Sequence, residues 1–223
     1  VEITKIWERT IVNASQFILR KDKIEIDPDS FRILVEDCIE EYNKARPYNK
    51  EYDIYTGSNT YVFDTNFDPE LKRVPDWLAE CVPVRTYLNG IASVGLNYNQ
   101  NSNQELVVAT QYPYVYKKPT LTVPLVGNHK IVAVYKHIIE EVVDAQSGST
   151  KYHLNTITLA DTWFFKLLLA RFMKGIGRSR RAFTLSEITI TTDADALVAD
   201  GEALEEKTIE DMNNNKKIFL GLG

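Results

Sequence analysis

The chain has 223 residues, 44% hydrophobic and 26% charged, with a net charge of -5, enough for one sizeable core of ordinary globular composition. The acidic balance excludes a general nucleic-acid coat, which needs clustered Lys and Arg against phosphate. No apolar run reaches the ~18 residues of a membrane span and no secretory signal is evident. Cys38 and Cys81, far apart and in no C-x-x-C, read as small buried apolar side chains in a reduced compartment.

Residues 4–19 place Ile6, Trp7, Ile11, Ala14, Phe17 and Ile18 close to helical spacing. A second helix follows, with Asp27 as N-cap, Pro28 at its first position and Asp29 in its first turn. Phe31, Leu34, Val35, Cys38, Ile39 and Tyr42 form its apolar face, and Arg46-Pro47 stops it. Tyr-Asn-Lys occurs on both sides of that proline, at Tyr42 and Tyr48, so the two copies belong to different elements.

From 48 to 158 the texture is β. Asp53–Tyr55 and Thr60–Phe63 are short strands around Gly57-Ser58-Asn59, and Val74–Cys81 reads as a turn or two of helix. Val82–Leu88 reads as a strand ending at Asn89-Gly90, and Asn97–Gln104 as a polar loop. Leu106–Tyr116, Thr120–Leu125, Lys130–Val143 and Tyr152–Leu159 are further strands, with Pro113, Pro119 and Pro124 at edges or bulges.

Helical pattern returns at Asp161. Trp163, Phe164, Leu167, Leu168 and Phe172 make one stripe and Phe165, Leu169 and Met173 a second, so this helix is buried on most sides or carries a partner surface. Gly175-Ile-Gly177 reads as its C-cap. After a β-like stretch, Phe183–Thr191, Asp193 caps a last helix bearing Ala196, Leu197, Leu204, Ile209 and Met212, which Asn213–Asn215 ends. The expected fold is α+β: residues 1–47 and 159–214 pack as a helical lobe carrying 48–158 as a large, sandwich-like, mostly antiparallel β insertion, and 215–223 form a tail arm.

Catalysis needs converging polar groups, and none are legible. Val126–Lys130 lacks the spacing of a phosphate loop, and Gly175-Ile-Gly177-Arg178 follows a helix where a dinucleotide fingerprint follows a strand. His137, Glu140 and Glu141 miss the last histidine of an H-x-x-E-H zinc motif, and no serine sits in a nucleophile elbow. No catalytic, cofactor or metal residues are assigned. The charge layout says more: Lys166, Arg171, Lys174, Arg178, Arg180 and Arg181 form a basic block. Asp193, Asp195, Asp200, Glu202, Glu205, Glu206, Glu210 and Asp211 form an acidic one. The blocks pair within the chain or head to tail between identical neighbours, or the basic block instead touches DNA phosphate. The apolar tail Ile218–Leu222 docks either on its own subunit or in a neighbour.

Three places resemble the neck, or head-completion, proteins of contractile-tailed bacteriophages. They are the helix from Asp27-Pro28 to Tyr42-Asn43-Lys44-Ala45-Arg46-Pro47; Leu159-Ala-Asp161-Thr-Trp163-Phe-Phe165, running into the helix that ends Lys174-Gly-Ile-Gly177-Arg178; and Phe183-Thr-Leu-Ser with the acidic helix from Ala196 to Glu206. The resemblance implies a ring of twelve copies between portal and tail, meeting the portal protein and a second neck or tail-terminator protein around the DNA channel. It implies a virion location after assembly in the host cytoplasm, with no membrane, cofactor or enzymatic role. On that reading Trp163, Phe165, Arg171, Lys174, Arg178, Arg180, Arg181, Glu202, Glu205, Glu206, Phe219 and Leu220 are subunit contacts. The alternatives are another connector ring (a tail terminator or portal adaptor), a non-enzymatic binding module using Asn97–Gln104 or Tyr112–Tyr116, and an enzyme joining Asp64, Asp68 or Glu140 to a histidine.

Overall fold

The computed structural model describes residues 1–15, 26–66, 72–83, 113–124, 126–145, 148–184 and 194–215. In chain order its elements are α1 (Ile3–Asn13), α2 (Pro28–Ala45), β1 (Tyr48–Thr56), β2 (Thr60–Val62), β3 (Trp77–Pro83), β4 (Val115–Lys117), β5 (Thr120–Thr122), β6 (Gly127–Tyr135), β7 (Glu140–Val143), β8 (Thr150–His153), α3 (Thr162–Thr184) and α4 (Ala194–Asn214). The fold is α+β, and among the described residues every strand pairing is antiparallel. The chain forms two units: Val1–Pro47 with His137–Lys217, and Tyr48–Lys136.

The helical unit starts as its caps dictate. The Asp27 side chain accepts from the Asp29 and Ser30 amides at 3.0 and 2.9 Å, satisfying two donors that the first turn of α2 leaves open. Phe31, Val35, Cys38, Ile39 and Tyr42 are buried along one face of α2, with Leu34 half-buried at its margin. In α1, Ile6 and Thr10 are buried, and the Thr10 hydroxyl is satisfied by donating to the Ile6 carbonyl at 2.8 Å. Phe17 and Ile18 lie outside the described residues. Trp7, Phe31 and Phe172 from α1, α2 and α3 meet edge to face, with centroids 4.7–6.2 Å apart.

Both stripes of α3 are used: Phe164, Leu167, Leu168 and Phe172 are buried, and so are Phe165 and Met173 on the second. The expected C-cap at Gly175–Gly177 is wrong, because α3 continues to Thr184. The second glycine is a place of contact. A Cβ on Gly177 would stand 2.7 Å from Val198 Cγ2 and 2.8 Å from the Ala194 carbonyl oxygen, so its bare backbone lets α4 approach. Phe183 and Thr184 are therefore helical, not β-like; residues 185–193, with the expected cap Asp193, lie outside the described residues. Helix α4 ends at Asn214, as the asparagine run predicts.

The β7–β8 hairpin belongs to this unit, although it falls within the 48–158 span that the sequence groups as β. The expected strand at Tyr152–Leu159 stops at His153. Leu154 and Ile157 instead turn inward and are buried in the helical core, a use that extended alternation does not permit. The expected continuous strand at Lys130–Val143 is likewise broken at residues 136–139 into β6 and β7.

In the second unit, sheet β1-β6-β3 and sheet β2-β5-β4 share one core. Ile54, Leu78, Cys81, Ile131, Ala133 and Tyr135 from the first meet Phe63, Leu121 and Val123 from the second, giving the expected sandwich of inward-facing residues. The register runs from Tyr48 opposite Tyr135 to Thr56 opposite Gly127. The helical expectation for Val74–Cys81 fails for a definite reason. A bulge at Ala79 sets Leu78 opposite Ala133 and Cys81 opposite Ile131, so two residues three apart share the buried face and imitate a helical pattern. Pro113, Pro119 and Pro124 fall outside the ladders, as their missing N–H requires. Residues 84–112, with the Asn89-Gly90 turn and the Asn97–Gln104 loop, lie outside the described residues.

Candidate interaction surface

The basic and acidic blocks lie on α3 and α4, which pack side by side through their glycines. On Gly201, too, a Cβ would come within 2.8 Å of the Ala170 carbonyl oxygen. That approach brings Glu205 between two cations: Arg171 Nε donates to Oε1 at 2.7 Å and Lys174 Nζ to Oε2 at 2.6 Å. Burial opposes the charge on Glu205, but the hydrogen bonds from Lys174 and Arg171 outweigh it and hold the carboxyl below its ordinary value. Beneath Arg171 lies Cys38, whose thiol burial pushes up to about 12, so it is inert at neutral pH. Arg181 pairs with Asp195 at the exposed end of the hairpin, where screening leaves such a pair little weight.

The expected contact residues therefore divide. Arg171, Lys174 and Glu205 are paired inside the chain, and Arg181 is paired at the surface. Phe165 is 4% exposed and has the Arg9 guanidinium 4.5 Å above its ring, so it is a core residue of its own unit. Trp163 is half-buried beneath the Arg46 guanidinium, at 3.5 Å from its ring centre. Arg180 is half-buried, and Arg178, Glu202 and Glu206 are exposed. Phe219 and Leu220 lie outside the described residues. What remains exposed on the hairpin is separated by sign: Lys166 and Arg178 on α3, and Asp200, Glu202, Glu206 and Glu210 on α4, joined there by the exposed Lys207.

Composition and spacing did not disclose a buried polar corner at the end of α2. The Asn43 side chain grips the His137 backbone twice, accepting from its N–H at 2.7 Å and donating to its carbonyl at 3.0 Å. This substitutes for a strand partner and explains why β6 and β7 are separate. His137 Nε2 lies 2.9 Å from the Arg46 carbonyl, which can only accept, so that nitrogen carries hydrogen; Nδ1 lies 2.7 Å from the Thr156 hydroxyl. Asp161 caps α3 by accepting from the Phe164 amide at 3.0 Å, and its other oxygen accepts from the Tyr42 hydroxyl. Burial, and then that bond, push the Tyr42 hydroxyl well above its ordinary value. Arg46, on which the sequence showed only a helix stop, adds a 3.1 Å bond to the Asn215 carbonyl. The one signal was Tyr42, Asn43 and Arg46 clustered before Pro47. These polar atoms of Tyr42, Asn43, His137 and Asp161 are engaged in holding elements together.

The chemical alternatives can be placed as well. Among the described residues no group of three or more His, Cys, Asp or Glu side chains could hold a metal ion. Glu140 stands opposite His153 in the β7–β8 register, but its carboxylate accepts from Asn155. Asp64 accepts from the Asn66 amide in a local turn, and Asp68 lies outside the described residues. Tyr114 and Tyr116 are half-buried against the core of the second unit, their hydroxyls donating to the Leu78 and Pro75 carbonyls, so they face inward rather than converging on a ligand. Among the described residues no helix is long and apolar enough to cross a membrane. Neither a protein-family model nor a curated protein matches this chain.

Proposed function

We propose that this chain is a non-enzymatic virion structural protein. It forms a ring in the neck of a contractile-tailed bacteriophage, completing the head and connecting portal to tail around the DNA channel. The observation that carries the assembly part of this reading is the separation of charge on the α3–α4 hairpin, with exposed cations on one helix and mostly acids on the other. A surface with one sign at each edge pairs with a copy of itself head to tail, and such a heterologous contact closes into a ring when the rotation permits. Glu202, Glu206 and Glu210 repel one another at i, i+4 spacing in an isolated subunit, and a cationic neighbour removes that cost. The glycine contacts and the Glu205 clasp hold the hairpin rigid beforehand, so little ordering is lost on docking.

The neck location, the twelve copies and the portal and second neck or tail-terminator partners come from the resemblance of the three sequence stretches. Molar mass in solution tests the assembly. A discrete large oligomer is expected that loosens between about 0.1 M and 1 M salt, as the Debye length falls from about 10 Å to 3 Å. Ring-shaped particles should appear by electron microscopy, and Glu202→Lys with Glu206→Lys should reduce the mass. A chain that stays monomeric at every concentration, and also fails to bind portal-bearing heads, overturns the proposal.

A further inference from the structure

We propose that the free edge of β7 accepts Lys216–Leu220 from a second copy of the chain as an added parallel strand. The inference rests on the self-assembly reading above. The β7–β8 hairpin has two edges, and the β8 edge is taken: Glu2 bridges to His153, and Val1 and Leu154 exchange backbone hydrogen bonds at 2.8 and 2.7 Å. The β7 edge is different. The Asp144 amide donates to the Ser149 carbonyl at 2.9 Å, which makes that pair hydrogen-bonded. By antiparallel alternation Val142 and Glu140 then face β8, while the N–H and C=O of Glu141 and Val143 point away from it. No other strand meets them among the described residues. Val142 and Val143, on opposite faces of the strand, are 44% and 65% exposed. The strand lacks the lysine, proline or bulge that usually guards an edge, leaving only the acids Glu140 and Glu141.

Charge selects the occupant. Two β7 edges laid together oppose acid to acid: Glu141 meets Glu141 if parallel, and Asp144 if antiparallel and centred on the valines. The stretch Lys216-Lys217-Ile218-Phe219 instead matches Glu140-Glu141-Val142-Val143 position for position when parallel, with Leu220 beside Asp144. Lys217 then lies beside Glu141, Ile218 beside Val142 and Phe219 beside Val143, each pair sharing a face. Reversing the direction sets the apolar residues against the acids. The added strand would take up the outward backbone groups of Glu141 and Val143 and cover both valines. Each copy gives one segment and receives one, the heterologous relation that a ring requires.

Full-length single-cysteine variants test this, since Cys38 and Cys81 are buried and leave the background quiet. A Val143→Cys chain is mixed with a Phe219→Cys chain, one of them tagged, under mild oxidation. Strands about 4.8 Å apart fall within disulfide reach. The expected product is a mixed disulfide-linked pair. Placing Glu141→Lys in the first chain should lower its yield by up to about five-fold, and Lys217→Glu in the second should restore it. The inference is overturned by a disulfide that forms within one chain of the Val143→Cys, Phe219→Cys double variant and persists under excess wild type, by self-pairing of Val143→Cys chains, or by no disulfide at all. Light scattering on the same samples separates the causes. A large oligomer without the mixed disulfide refutes this edge pairing alone, and a monomer without it refutes the assembly reading as well.

Discussion

Replacing Gly201 by alanine isolates the contact on which the α3–α4 hairpin depends. On an exposed helix the change would stabilise by about 1 kcal/mol, because alanine is the better helix former. Here the new Cβ would stand 2.8 Å from both the Ala170 carbonyl oxygen and Lys174 Cγ, and 3.2 Å from the Lys174 amide nitrogen, where ordinary contact begins at 3.4 Å. The shortfall against backbone, 3.4 minus 2.8, is 0.6 Å and cannot be relieved by rotating a side chain. Overpacking of this kind costs about 1–3 kcal/mol, and a rigid partner puts it at the upper end, since moving α4 also draws Glu205 away from Arg171 and Lys174. The net expectation is a loss of about 2 kcal/mol, or about 4–8 °C in Tm for a chain of this length. Gly177→Ala should behave alike. Gly175→Ala is the control: its Cβ would meet only Ile26 Cδ1, at 3.1 Å, a side-chain end that can turn aside. Its Tm should hold or rise by about 2 °C. The assay is a thermal melt followed by helical circular dichroism. A Gly201→Ala protein melting at or above the wild type would refute the close packing of the two helices.

Glu205→Gln should cost about 1.5–3 kcal/mol in urea unfolding, whereas Arg181→Ala at the exposed pair should stay within about 0.5 kcal/mol. Because the folded state holds the Glu205 carboxyl below its ordinary value of 4.5, its contribution is present above that pH and is lost as pH falls through the folded value. An acid titration of the wild type against Glu205→Gln should converge on the acid side. Tyr42→Phe removes the hydroxyl that Asp161 accepts and should cost about 1.5–3 kcal/mol. With the Tyr42 hydroxyl raised above 10.0, its share of stability is intact below that pH and declines above it, so alkaline melts of the variant should be flatter. Asn43→Ala leaves the His137 N–H and C=O without their side-chain partner. It should cost about 2–4 kcal/mol and accelerate hydrogen exchange at the His137 amide; unchanged exchange would refute the clasp.

Sequence by itself determined the α+β class, the helices at both ends with a β-rich stretch between them, the start and stop of α2, and the broad apolar arc of α3. These are local matters: caps act within one turn, and apolar periodicity reports a face whatever covers it. Tertiary structure decided where the glycines, the charges and the polar corner belong. Gly177 has the same propensity at a helix end as at a helix crossing, and only the approach of α4 distinguishes the two. The bulge at Ala79 gave a strand helical spacing, a register effect imposed by β6 that no window along one strand contains. The fates of Arg171 and Arg178 diverged although they share a block, because one lies within reach of Glu205 and the other faces outward. His137 and Asn43, 94 residues apart in sequence, meet only after the chain has folded. A hydrogen bond across that distance is encoded by two polar side chains that, read separately, look like any others on the surface.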